Sequence, residues 1–259
     1  MLKAIFYTVA FLAIQLLVGV LVSAVAGFAS VESQNAIMFV TILLSSLVTI
    51  AIFLLAKWSV ASRNYLLSRP YSVLFWAVLA SLGALVPSML LQEQMPELPA
   101  ALQQLVDEAG EQMALLLNMR GGYFIIAILV PLTEELVFRG GVLRVLLSSG
   151  KHNHWLWIAV SALLFSLAHG NPAQMPHAFL IGLLLGWLYY RTGSILPGVV
   201  YHWANNTVAY LLFKLYPDPD IQLTDILGHN TRTIGAALIF SLFILVPALY
   251  QLHLRMRRV

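Results

Sequence analysis

The stretch "PLTEELVFRG", Pro131 to Gly140, places Glu134, Glu135 and Arg139 inside a run that otherwise reads as hydrocarbon. The surrounding composition decides what that means. Of 259 residues 60% are hydrophobic and only 10% charged, against about a quarter charged in ordinary soluble domains. Mean hydropathy is +0.86. Apolar runs of roughly 18 to 24 residues recur, the length needed to cross about 30 Å of lipid hydrocarbon. A transmembrane β-barrel would instead alternate polarity over segments of about ten residues. The fold class read from these patterns is all-α, a polytopic transmembrane helix bundle.

About eight spans are expected: Ile5 to Phe28, Ala36 to Ala56, Tyr71 to Leu91, Tyr123 to Leu147, Trp155 to His169, His177 to Tyr190, Ile195 to Leu215 and Ile234 to Leu252. The fifth and sixth are short, as helices are that pack among neighbours. The first contains Ala24-Val25-Ala26, but its apolar stretch exceeds a signal-peptide core, so it is expected to be retained as a span. Between the third and fourth spans, "LPAALQQLVDEAGEQMALLLN" sets Leu102, Leu105, Val106, Ala109, Met113 and Leu116 opposite Gln103, Asp107, Glu108 and Glu111. That spacing predicts one external amphipathic helix on the membrane surface.

Charge asymmetry orients the bundle. One set of connections carries Lys3, Lys57, Arg63, Arg69, Lys151, Arg191, Arg255, Arg257 and Arg258 with no acid. The other carries Glu32, Glu93, Glu97, Asp107, Glu108, Glu111, Asp218, Asp220 and Asp225 against Arg120, Lys214 and Arg232. The positive-inside rule puts both termini in the cytoplasm, which needs an even number of spans. The net charge of +3 therefore reflects topology, and no nucleic-acid partner is expected, because no soluble module carries a basic face. The organisation divides into N-terminal helices with the external helix (1–122), a central core (123–215), and a loop with the last helix (216–259).

Ionisable groups at membrane depth are costly, so they face a protein interior and point to function by default. In the fourth span these are Glu134, Glu135, Arg139 and Arg144; His169 ends the fifth, and His202, Asn205 and Asn206 lie in the seventh. Counting rise per residue from the cytoplasmic ends puts Glu134 roughly 20 Å up, His169 roughly 21 Å, and His202 to Asn206 roughly 10 to 16 Å. They can converge on one cavity. Glu135 and Arg139 are i and i+4, suited to an ion pair that is architectural or functional. Glu134 points about 100° away and is left free to act as a base. His202 and Asn206 also share a face, so both can reach one bound oxygen. Phe165, four residues before His169, is expected to pack beside its ring.

The remaining polar features read as structural. Arg144 is expected to snorkel from a helix end. His152 and His154 fall in the basic loop "SSGKHNH" and read as solvated, and His177 as a structural residue opening its span. Gly182 and Gly186 form a small-xxx-small packing stripe. "PDPD" lacks the spacing of a calcium loop and reads as a turn.

A carboxylate and an imidazole near an oxyanion-binding pair suit amide hydrolysis. Other intramembrane protease chemistries lack their residues. There is no HExxH zinc helix, every Asp lies outside the expected spans, no cysteine exists to serve as nucleophile or thiolate ligand, and no Ser sits in a nucleophile elbow.

These residues carry a resemblance. "EELVFR" (Glu134 to Arg139), "FSLAH" (Phe165 to His169) and "HWANN" (His202 to Asn206) resemble, in order, the EExxxR, FxxxH and HxxxN motifs of the CPBP family, the CAAX proteases and bacteriocin-processing enzymes also called Abi. "HGNP" and "RTGSILPG" are also similar to that family, and the resemblance spans roughly Tyr123 to Tyr210. It implies an intramembrane endopeptidase acting on a membrane-associated polypeptide, in a bacterial inner membrane. By that analogy Glu134 and His169 activate water, Glu135 and Arg139 orient them, and His202 with Asn206 forms the oxyanion site. The family is commonly labelled a metalloprotease, and a zinc set of Glu134, His169 and His202 with Glu135 as base is the alternative. The metal-free reading is favoured because Asn206 suits an oxyanion better than zinc. Two other functions compete: a non-catalytic scaffold or bacteriocin-immunity protein, and a proton-coupled transporter, for which no inverted repeat is visible.

Overall fold

A computed structural model describes residues 1–60, 63–96, 98–150, 153–218 and 221–256, with the side chains of residues 63 and 64 also outside the description. The charge assignments made above for Arg63, Glu97, Lys151, Asp220, Arg257 and Arg258, and the loop reading of His152, therefore lie outside the described residues.

Each of the eight apolar segments forms a helix. In chain order these are α1 (Leu2–Phe28), α2 (Gln34–Leu55), the short α3 (Arg63–Leu67), α4 (Tyr71–Glu93) and α5 (Ala100–Asn118). A composite helix, α6, follows. It joins Phe124–Leu129, Val130–Glu135, Leu136–Leu143 and Arg144–Leu147, with the first and third stretches π-helical. Then come α7 (His154–Ala168), α8 (Met175–Thr192), α9 (Leu196–Leu215), the short α10 (Leu223–Ile226) and α11 (Thr231–Arg255). Among the described residues four helices, α1, α2, α4 and α11, are long and apolar enough to cross a membrane by themselves. Their length and apolarity fit an integral membrane protein.

Burial explains the division. In α1, Ala4, Tyr7, Thr8, Phe11 and Ala26 are buried, while Leu16, Leu17, Val20, Leu21 and Val25 stand exposed. In water such a surface would aggregate; in a bilayer it meets lipid. The π-helical stretch Leu136–Leu143 is buried at every position, so α6 is the axis around which the other helices assemble. Phe138, Leu143 and Leu146 of α6 pack with Phe11 and Phe53 of α1 and α2 and with Ile158 and Phe165 of α7.

A second core joins α4, α8, α9 and α11 through Ala77, Ala80, Leu185, Leu188, Tyr201, Ala248 and Leu252. Here α4 and α11 meet almost backbone to backbone. A Cβ on Gly83 would lie 2.5 Å from the Leu245 nitrogen, and the Ser241 hydroxyl donates to the Gly83 carbonyl at 2.7 Å. This is small-residue packing sealed by a hydrogen bond. Gly83→Ala is expected to force the helices apart and destabilise the bundle by about 1–3 kcal/mol, read as a lowered unfolding midpoint in detergent.

Three cationic or ring side chains make contacts that their place in the sequence does not announce. Arg144 does not simply snorkel: its Nη2 donates to the carbonyls of Lys57 and Trp58 at 3.2 and 2.9 Å, closing the end of α2. Arg191 likewise donates to the carbonyls of His253 and Met256 at 3.0 and 2.6 Å, as cations do at helix C-termini with unpaired carbonyls. His154 is not a solvated loop residue. It begins α7 and stacks on Tyr190 with ring centroids 4.1 Å apart. The small-xxx-small reading holds, since Cβ atoms at Gly182 and Gly186 would press on Ala162 and Ile158 of α7.

α5 is amphipathic as its spacing predicted, with Gln103 and Gln104 donating to Asp107 and Glu108 one turn on. Its apolar face is only partly covered. Leu116 and Leu117 are buried, whereas Leu102, Leu105 and Met113 remain exposed.

Candidate active site

Pro131 interrupts the hydrogen bonding of α6 just before the glutamates. Val130 donates its backbone N–H to Ile125, five residues back, and Pro131 has no N–H to offer the next carbonyl. The Ile126 carbonyl is thereby left without its π-helical partner. Asn206 of α9 fills the gap, its Nδ2 donating to Ile126 O at 3.0 Å. The helix that carries the glutamates is thus widened just before them, and its freed carbonyl fixes the carboxamide that the sequence placed opposite. Wide turns of this kind recur at functional sites because they aim side chains that a regular helix would not.

One turn further, Glu135 and Arg139 pair as their spacing predicted. Arg139 Nη1 donates to Glu135 Oε1 at 2.8 Å, with side-chain exposures of 1% and 0%. The guanidinium is held from two further directions. Nη2 donates to the Gly182 carbonyl of α8 at 3.2 Å, and Cζ lies 4.3 Å from the centroid of the Phe165 ring of α7. Charge, carbonyl and π-face together let a full ion pair survive burial. Gly198 of α9 makes room for it, since a Cβ there would sit 2.5 Å from Glu135 Oε2.

Glu134 is left outside that pair, with 16% of its side chain exposed. His202 stands between the two carboxylates, its Nε2 3.7 Å from Glu134 Oε2 and its Nδ1 3.6 Å from Glu135 Oε1. Both separations exceed a direct hydrogen bond and are short enough for a small closure or one bridging water. His169 is oriented by its own helix: Nδ1 lies 2.8 Å from Phe165 O, and the Phe165 ring meets it edge-on at 4.6 Å between centroids. If Nδ1 donates there, Nε2 is left as the basic nitrogen. Phe165 also meets His202 edge-on at 6.1 Å. One phenyl ring therefore touches Arg139 with its face and spaces the two imidazoles with its edges.

Among the described residues, no group of three His, Asp or Glu side chains is gathered as a zinc ion requires, so Glu134, His169 and His202 do not form a ready metal cage.

Residues 117–208 match the family model described as type II CAAX prenyl endopeptidase Rce1-like. That is the CPBP family the motifs resembled. An uncharacterised 24.3 kDa protein of Escherichia coli is 36% identical over 89 residues, a stretch covering 33% of this chain and 41% of that protein. The chain therefore spans less than half the length of this curated relative. No solved structure matches the chain.

The Rce1-like segment contains the glutamates, both histidines of the motifs and Asn206. His177, read as structural, lies in the first turn of α8. Three features around the site were missed by sequence reasoning. The Gly182 carbonyl accepts from Arg139, which the packing motif gave no means of seeing. Tyr123 OH accepts from Trp203 Nε1 at 3.1 Å and lies 3.3 Å from Thr207 Oγ1, tying the start of α6 to α9. Finally, Gln15, Thr41, Ser45 and Ser46 of α1 and α2 border Glu134 across a cavity of about 160 Å³. Gln15 within an apolar run was a signal available from the sequence.

Proposed function

We propose that this protein is an intramembrane endopeptidase that hydrolyses a peptide bond of a membrane-associated polypeptide. The observation that carries the reading is the arrangement around His202. One carboxylate is locked by Arg139, a second is free at a cavity, and the imidazole sits between them.

In this reading Glu134, assisted by His169, takes a proton from water as the hydroxyl oxygen attacks the scissile carbonyl carbon. The negative charge moves to the carbonyl oxygen, which accepts hydrogen bonds from His202 and from the second N–H of Asn206. The C–N bond then breaks, and the proton held by Glu134 passes to the departing amine. Products are a carboxylic acid and an amine. Glu135 and Arg139 do not touch substrate; they position His202 and the helix carrying Glu134.

Eight spans with both termini cytoplasmic form the topology proposed with this activity, and reporter fusions to each connecting loop check it. The purified protein in liposomes is expected to generate new peptide termini from a library of membrane-spanning peptides, and to keep that activity after chelation and dialysis. Loss of cleavage on chelation, restored by zinc, would transfer water activation to a metal. Substrate-dependent proton flux with no cleavage would favour transport instead.

Asn206→Ala is expected to lower kcat by about 10²–10³, the effect of deleting one oxyanion donor. Pro131→Ala restores an N–H that competes with Asn206 for Ile126 O. It is expected to lower kcat by a smaller factor at unchanged KM, because it disturbs only the aim of the carboxamide.

A further inference from the structure

Two cavities flank the proposed catalytic groups, and both are walled by α2, which lies outside the family-matched segment. The first, about 160 Å³, holds Glu134 and is bordered by Gln15, Thr41, Ser45, Ser46 and Thr133. The second, about 200 Å³, holds His169 and Asn171 and is bordered by Met38, Met113 and Leu116. Ile42 lines both. Each cavity thus holds one of the two groups proposed to activate water.

Their linings differ in chemistry. In the first, Ser45 and Thr133 have turned their hydroxyl hydrogens onto their own helices, bonding Ile42 O at 3.2 Å and Leu129 O at 2.8 Å. Ser46 has not. It is 6% exposed, and it lines the cavity that Glu134 also lines. A buried hydroxyl in this position favours a ligand group able to hydrogen-bond over one that leaves it unsatisfied. A cavity near 150 Å³ takes about one benzene-sized group. The second cavity is lined by polar groups as well, Gln112, Gln174, Asn171 and His169, and its apolar wall is made adaptable by the thioethers of Met38 and Met113.

We infer that α2 reads the substrate: the Ser46 cavity is a subsite for a small, uncharged, hydrogen-bonding side chain on one side of the cleaved bond. The Met113 cavity receives an apolar side chain on the other. The assignment of sides rests on the endopeptidase reading, but the existence of the two subsites does not. Site selection is thereby placed in a helix outside the segment that carries the proposed chemistry, and the substrate class is a polypeptide with a polar, uncharged residue next to an apolar one at membrane depth.

The test separates binding from cleavage. The full chain in liposomes is offered a library of apolar membrane-spanning peptides randomised over a short central window, and captured and cleaved peptides are sequenced separately. The wild type is expected to capture peptides enriched in Ser, Thr or Asn at one window position and in apolar residues at a neighbouring one. Ser46→Leu, which fills the first cavity, should reduce the polar enrichment at least about tenfold and leave the apolar one. Met113→Ala, which enlarges the second, should shift only the apolar position toward bulkier side chains. Capture with these preferences but without cleavage upholds the subsites and sinks the endopeptidase reading. Cleavage with preferences that neither variant alters, loss of both preferences together, or capture without preference overturns the subsites.

Discussion

Glu134→Gln is expected to abolish peptide cleavage while the helix bundle stays intact. The glutamine is isosteric, and Glu134 makes no pairing with Arg139 that the substitution could break, because the guanidinium is occupied by Glu135, the Gly182 carbonyl and the Phe165 ring. What disappears is the ability to take a proton from water. General-base catalysis contributes about 10²–10⁴-fold, and a carboxamide has no basicity to replace it. Turnover in liposomes should fall by at least about that factor, with the unfolding midpoint unchanged. A variant that cleaves at the wild-type rate removes Glu134 from the mechanism.

Glu135→Ala is expected to fail for a different reason. It strands Arg139, whose side chain is 1% exposed, with one carbonyl and one ring for company and its Nε already without a partner. Removing one member of a buried ion pair costs about 3–5 kcal/mol, mostly through the charge left behind. Both stability and activity should drop. The double variant Glu135→Met with Arg139→Met separates the two effects, since an apolar pair of similar volume is often as stable as the ion pair it replaces. Stability is expected to return toward wild type while cleavage stays absent, because the carboxylate that faces His202 Nδ1 is then gone. Recovery of cleavage together with stability would reduce the pair to architecture.

How far the sequence could be read depends on the range of the interaction involved. The pairing of Glu135 with Arg139 and the packing of Phe165 on His169 were legible because both are set by one helical turn, and the structure shows each. The apolar segments were legible by length, and all eight are helical, although among the described residues four qualify as spans by length and composition. Arg144 was misjudged because its partners, Lys57 and Trp58, are the end of a distant helix, and no periodicity reports that approach. The Asn206 contact hides in the same way. Pro131 announces a missing donor, but only the path of α9 shows which side chain answers the freed Ile126 carbonyl. The cavity beside Glu134 was obscured because serine and threonine in an apolar run look harmless: they usually bond back to their own helix, as Ser45 does and Ser46 does not.

The central claim, that this site hydrolyses peptide bonds of membrane-associated polypeptides, is tested most directly by mass spectrometry of membranes from cells making the wild type or Glu134→Gln at equal levels. At least one polypeptide is expected to carry a new internal terminus with the wild type and to accumulate uncleaved, bound to the variant. Identical membrane peptidomes, together with no cleavage of the peptide library by the purified wild type, would contradict it.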